Sequence, residues 1–129
     1  MPAAASISTL IVDDQLSMRA LIRAALIQIG ITNIREAPDG EDGLRALAAR
    51  PAHLVISDYN MPKLDGLGLL RAVRSYEPLK GVAFIMLTGR ADIDLVARAR
   101  QFGVNNYLIK PFNTLGLKTK IEEVFGVLE

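Results

Sequence analysis

From end to end the chain alternates between short apolar runs and longer stretches whose apolar residues recur every three or four positions. The runs cover residues 7–12, 33–37, 54–57, 82–87 and 104–109. Runs this short, bounded by turn formers, read as strands. The stretch 15–29 carries Leu21, Ile22, Ala25, Leu26 and Ile29 as one helical stripe, and Gly30 stops it. Asp39-Gly40 opens a second helix, which runs to about Arg50 and ends before Pro51, where proline disfavours helical geometry. Residues 66–76 form a third helix with Leu67, Leu70 and Val73 inward. Residues 91–102 form a fourth, closed by Gly103. Residues 113–127 form a fifth, turning Leu117, Ile121, Val124 and the following Leu128 inward. Five strands alternating with five helices, without internal repeat or linker, predict an α/β fold with a doubly wound five-stranded parallel sheet.

The ends of the apolar runs carry the functional information. Residues 7–12 lead into Asp13-Asp14, 54–57 into Asp58, 82–87 into Thr88, and 107–109 into Lys110-Pro111. In a parallel sheet with right-handed crossovers, residues that end strands emerge along one open edge. Three carboxylates, a hydroxyl and an ammonium are therefore expected to meet in one crevice.

Bulk properties remove other classes. The chain has 129 residues, half of them hydrophobic and 22% charged, which suits one ordinary domain and not a disordered segment. A net charge of +1 argues against a dedicated nucleic-acid surface. With no cysteine, disulfides, thiolate catalysis and zinc–thiolate clusters are excluded. The first residues, Met-Pro-Ala-Ala-Ala, lack the basic and apolar regions of a signal peptide, and no apolar run approaches a membrane span. A cytoplasmic domain is the expectation.

Adjacent carboxylates at Asp13 and Asp14 repel each other unless a cation neutralises them. With Asp58 beside them and no histidine or cysteine in the set, hard oxygen ligands select Mg²⁺ or Mn²⁺. Taken alone, Asp13 or Asp14 could instead cap the helix that starts near Gln15. Lys110 suits a phosphoryl oxygen but could equally be a lysine snorkelling at the sheet edge. Thr88 could serve the site or only its local backbone, and Gly89 after it leaves the crevice uncrowded. It is the joint placement that points to phosphoryl chemistry. His53, before a strand, reads as a partly buried scaffold residue. Gly66-Leu67-Gly68 is not a dinucleotide fingerprint, because it lacks a third glycine and does not directly follow a strand.

The run Asp58-Tyr59-Asn60-Met61-Pro62-Lys63-Leu64-Asp65-Gly66 resembles the signature loop of response-regulator receiver domains, the phosphoacceptor modules of two-component signalling. Asp13-Asp14, Thr88-Gly89 and Tyr107 three residues before Lys110-Pro111-Phe112 match the family's other marks in order, over residues 7 to 126. The resemblance extends to the stand-alone chemotaxis regulators. It implies the flavodoxin-like strand order 2-1-3-4-5. It further implies that Asp58 takes a phosphoryl group from a histidine kinase or a histidine phosphotransfer protein. Mg²⁺ would be held by Asp14, Asp58 and the Asn60 main-chain carbonyl, with Asp13 contributing directly or through water. Thr88 and Lys110 would bind the phosphoryl oxygens, and Thr88 and Tyr107 would switch the face built from helix 4, strand 5 and helix 5. Asn60 and Arg90, each two residues beyond a site residue, would tune phosphoryl lifetime. An ordinary strand tyrosine is the alternative for Tyr107.

On the first helix Gln15, Arg19 and Arg23 form a polar stripe. Leu16, Ala20 and Ile27 flank it and are expected to be partly exposed as a docking patch for the phosphodonor. Because the chain ends at Glu129, just after the last helix, a single stand-alone receiver over residues 1–129 is expected, though a piece of a longer regulator would read the same. Its output would be a protein contact or onward phosphotransfer, with Arg90, Arg98, Arg100, Lys118 and Lys120 making that side basic. A monomer is expected, with a phosphorylation-linked dimer as the alternative. Two other classes compete with the signalling phosphoacceptor. One is an interaction module that has lost phosphorylation, although every chemical position is intact. The other is a haloacid-dehalogenase-like phosphatase, which normally has a second acidic residue where this chain has Asn60.

Overall fold

The first strand sets the pattern for the whole molecule. Leu10 and Val12 face one apolar layer, and Ile7 and Ile11 face the other. All four are buried, as expected of a parallel strand covered on both faces. The computed structural model describes residues 2–89 and 93–129. Its main elements are β1 (Ser8–Val12), α1 (Leu16–Ile29), β2 (Asn33–Ala37), α2 (Gly40–Ala49), β3 (Leu54–Asp58) and α3 (Gly66–Ser75). They continue with β4 (Ala83–Thr88), α4 (Ile93–Gln101), β5 (Asn106–Ile109) and α5 (Thr114–Phe125). Single 3-10 turns at Ala4–Ser6 and Glu77–Leu79 were not anticipated. The strands are parallel in the order β2-β1-β3-β4-β5, the flavodoxin-like arrangement expected.

One core lies under α2, α3 and α4, around Leu47, Leu69, Leu70, Val73, Phe84 and Ala99. The other lies under α1 and α5, around Ile22, Leu26, Ile56, Ile85, Leu117 and Ile121. Each large aliphatic or aromatic side chain fully removed from water contributes about 1.5–3 kcal/mol, which makes these two layers the main source of stability. The stripe read on α1 needs one correction. Ile22, Ala25 and Leu26 are buried, but Leu21 is 60% exposed. A neighbour on a helix sits about 100° round the axis, so Leu21 turns away from the layer that buries Ile22 and Leu26. Leu21 is left on the rim of a groove of about 360 Å³ between α1 and residues 111–114.

Local chemistry delimits the helices. Gly30, at φ 105°, closes α1 and returns its N–H to Leu26 and Ile27. Side-chain caps start α2 (Asp39 accepting from Asp42 N–H), α3 (Asp65 from Gly68 N–H) and α5 (Asn113 from Gly116 N–H). Arg74, late in α3, donates to the Val82 carbonyl at 2.6 Å, the Gly103 carbonyl at 3.0 Å and Asn105 Oδ1 at 2.8 Å. It ties α3 to the approaches of β4 and β5, the strands that deliver Thr88 and Lys110. His53 is exposed, not partly buried, yet it does serve the scaffold. Its Nδ1 accepts from the Ser8 N–H at 2.9 Å, joining the starts of β1 and β3. No described helix is long and apolar enough to cross a membrane.

Candidate functional site: an acidic pocket at the sheet edge

Strand register brings the polar residues level. Val12 pairs with Ser57, Asp58 with Leu87, and Thr88 with Ile109, so β1, β3, β4 and β5 end along one line. There, single carboxylate oxygens of Asp13, Asp14 and Asp58 lie within 4.8 Å of one another. Lys110 Nζ donates to Asp58 Oδ1 at 2.9 Å and stands 3.8 Å from Asp13 Oδ2. Asp13, Asp58 and Thr88 are buried, and Asp14 is exposed at the mouth. The crevice expected from the strand ends is present.

Asp13 is the strained member. Its Oδ1 accepts the Gln15 N–H at 2.9 Å, but Gln15 is the residue before the first helical position, so Asp13 is not the helix cap that the isolated reading allowed. Its Oδ2 is fully buried and has no hydrogen-bond partner among the described residues. Burial holds the Asp13 carboxyl above its usual range, and the neighbouring Asp58 and Asp14 add to this, while the Gln15 N–H and Lys110 act the other way. An orphaned buried oxygen facing two further carboxylates is a donor set suited to a hard divalent cation. The residues present therefore fit Mg²⁺ or Mn²⁺.

The loop after β3 is shaped around Asp58. Gly66 starts α3 so close beneath it that a Cβ there would run into the Asp58 carbonyl and lie 2.7 Å from Met86 Sδ. Only glycine lets the helix press against the strand end. Lys63 holds a left-handed φ of 68°, a conformation disfavoured for non-glycine residues, and its Nζ lies 3.6 Å from Asp39 Oδ2 at the start of α2. Asn60 is exposed within this loop. The Lys63–Asp39 tie was not anticipated, since Asp39 signalled only a helix start. Arg90 lies outside the described residues.

Thr88 and Tyr107 share a small gap beneath α4, also lined by Met86, Leu95 and Ala99 and holding only about 10 Å³. Tyr107 is half-buried, its ring 5.1 Å from Lys120 Nζ and 5.9 Å from the Arg100 guanidinium carbon. On α1, Leu16 is 71% exposed, Ile27 52% and Ala20 exposed, as expected of the flanking residues. The polar stripe between them behaves otherwise. Arg19 and Arg23 are turned onto Glu36 of β2, at 3.0 and 2.6 Å, and do not form a free edge.

A doubly wound sheet whose strand ends hold three carboxylates, a threonine and a lysine in one place defines an acidic pocket whose carboxylates could hold a metal ion. Residues 9–122 match the response regulator receiver domain, and the chain belongs to that family. It is 50% identical to a probable chemotaxis protein CheY of Rhizobium etli, over the full length of both chains. It is 44% identical to the chemotaxis protein CheY of Pseudomonas aeruginosa, over 90% of this chain and 94% of that one. Among solved structures, the chemotaxis protein CheY4 of Vibrio cholerae superposes with a TM-score of 0.85 at 28% identity, covering 96% of this chain and 99% of that one.

Proposed function

We propose that this chain is a CheY-like phosphoacceptor of a two-component or phosphorelay system, with Asp58 as the residue that is phosphorylated. The observation that carries the reading is the convergence of Asp13, Asp14 and Asp58 with Lys110 held 2.9 Å from Asp58. A carboxylate oxygen of Asp58 attacks the phosphorus of a phosphohistidine. The new C–O–P bond forms as the P–N bond breaks, and the imidazole keeps the bonding pair. Lys110 meets the charge that spreads over the equatorial oxygens in this loose, in-line transfer. Asp14, Asp58 and the Asn60 carbonyl would hold Mg²⁺ (or Mn²⁺), with Asp13 direct or through water, and the ion would supply charge neutralisation. The product is a mixed anhydride that hydrolyses, so the mark is temporary.

The new phosphoryl group brings about −1.5 to −2 charges beside Thr88. The threonine hydroxyl turns towards it, and Tyr107 moves into the space beneath α4. A gap of about 10 Å³ does not admit a ring unless Thr88 or α4 shifts. Charge at Asp58 is thereby coupled to the face of α4, β5 and α5. That face carries Arg100 and Lys120 on either side of Tyr107, with Ile93 of α4 exposed beside them, which suits an acidic, amphipathic partner segment. Asn60 and Arg90, each two residues beyond a site residue in sequence, would tune the lifetime of the mark.

Incubation with acetyl phosphate and Mg²⁺, followed by intact-mass measurement, tests the central claim. One labile phosphoryl adduct is expected on the unaltered chain and none on Asp58→Asn. Steady turnover of small phosphate esters without an adduct would favour a phosphatase instead. The donor is expected to dock across Leu16, Ala20 and Ile27. Ala20→Glu would bury a charge in that contact, which costs more than burying a neutral polar group, so transfer from the cognate donor should slow about tenfold or more relative to acetyl phosphate. Equal slowing with both donors would remove the docking role.

A further inference from the structure

Arg19 joins three parts of the molecule that meet behind the acidic pocket. Its Nη1 donates to the main-chain carbonyl of Asp13 at 2.6 Å, and its Nε donates to Glu36 Oε1 at 3.0 Å. The second oxygen of Glu36 is taken by Arg23 Nε at 2.6 Å, and Arg23 Nη2 reaches the Ile34 carbonyl at 3.4 Å. The hydrogen bonds from Arg23 and Arg19 hold the Glu36 carboxyl below its usual range, against the effect of burial. The Arg19 side chain is only 15% exposed, which makes its two bonds less open to solvent competition than a surface pair.

The consequence falls on Asp13. Its N–H donates to the Ala37 carbonyl at 3.1 Å, its carbonyl is held by Arg19, and its Oδ1 is held by the Gln15 N–H. Only Oδ2, the orphaned oxygen in the pocket, lacks a hydrogen bond. Past Val12 the chain has left the β1 ladder, so nothing in the sheet fixes the peptide between Asp13 and Asp14. We infer that Arg19 is a positioning residue for the divalent-cation site: by clamping the Asp13 carbonyl against Glu36 of β2, it aims the Asp13 and Asp14 carboxylates into the pocket. This rests on the phosphoacceptor reading of the same site. It also explains why a guanidinium stands here, since one planar fork serves a carbonyl and a carboxylate together and an ammonium does not hold that geometry.

Charge and geometry predict opposite signs. A nearby cation repels Mg²⁺, so as a mere charge Arg19 would weaken binding and its removal would tighten it. As a clamp, its removal should weaken binding about tenfold, in the range found for groups that orient metal ligands from behind. Calorimetric titration of the full chain with MgCl₂, alongside metal-free thermal melts, separates these outcomes. Arg19→Ala is expected to bind Mg²⁺ about tenfold more weakly, and Arg19→Lys nearly as weakly. Arg23→Ala, which touches Glu36 but not Asp13, is expected to stay within about twofold. Arg19→Lys carries the comparison if Arg19→Ala does not fold. Unchanged or tighter binding on removing the Arg19 guanidinium would overturn the inference, as would equal weakening by Arg23→Ala, which would mark a general loosening of the α1–β2 seam. No Mg²⁺ uptake by the unaltered chain would instead overturn the phosphoacceptor reading itself.

Discussion

Lys110→Ala is expected to slow formation of the Asp58 adduct by about 10²–10³-fold, the usual cost of removing one preorganised charge donor from a transition state. In the resting protein Nζ sits 2.9 Å from Asp58 Oδ1 and 3.8 Å from Asp13 Oδ2. On the proposed function the same ammonium would have two tasks: it neutralises buried carboxylates before reaction and would meet the phosphoryl oxygens during it. Removing it should separate the tasks. Without a competing cation, Mg²⁺ should bind more tightly, by about tenfold, because the pocket has lost a positive charge within a few ångströms. Tighter cation binding together with much slower phosphorylation is a paired outcome that mere unfolding cannot imitate. Mg²⁺ titration and the time course of adduct mass with acetyl phosphate measure the two halves. An adduct rate equal to that of the unaltered chain at saturating Mg²⁺ would show that Lys110 is only a structural counter-ion.

Asp13→Asn is expected to make the metal-free protein more stable and the site poorer. A carboxyl whose folded-state pKa is raised above its unfolded value binds its proton more tightly in the folded chain, so ionising it works against the fold. The penalty is absent below the ordinary value of 3.8 and grows as pH rises from there through the raised native value. Above that it stays in full. At neutral pH the amide removes the penalty, keeps an oxygen for the Gln15 N–H and replaces like-charge repulsion with Asp58 by a donor. A gain of about 1–2 kcal/mol, or roughly 4–8 °C in Tm, is expected in EDTA. The gain should vanish as pH approaches the ordinary carboxylate range. Mg²⁺ affinity should fall by about 10–100-fold, so added Mg²⁺ should narrow or reverse the difference in Tm. A variant less stable than its parent at neutral pH without metal would refute this account of the orphaned oxygen.

Most of the fold could be read from the chain because its two periodicities are physically distinct. Strands buried on both faces need continuous apolar runs, and Leu54–Asp58 and Ala83–Thr88 are buried at every position. The helices need a stripe and caps, and Asp39, Asp65 and Asn113 supply caps beside Gly30 as a stop. The errors fall where solvent exposure depends on a neighbour distant in sequence. Leu21 fits the α1 stripe as well as Leu26 does, and only the way α1 packs leaves it exposed. Arg19 and Arg23 look like a free polar edge until β2 brings Glu36 alongside. The 3-10 turns carry no periodic signal to detect.

The sequence by itself determined the alternation of strands and helices and the residue type at each strand end, because local periodicity and turn chemistry are short-range properties. The meeting of Asp13, Asp14 and Asp58 followed from parallel topology alone. What only the tertiary structure decided are the partners: which oxygen of Asp13 is left orphaned, how Lys110 divides itself between two carboxylates, and what holds the Asp13 carbonyl. Those depend on contacts between segments 6 to 97 residues apart, such as Arg19 with Asp13 and Lys110 with Asp13. Desolvation of a charge is set by everything packed around it, and no stretch of chain encodes that locally.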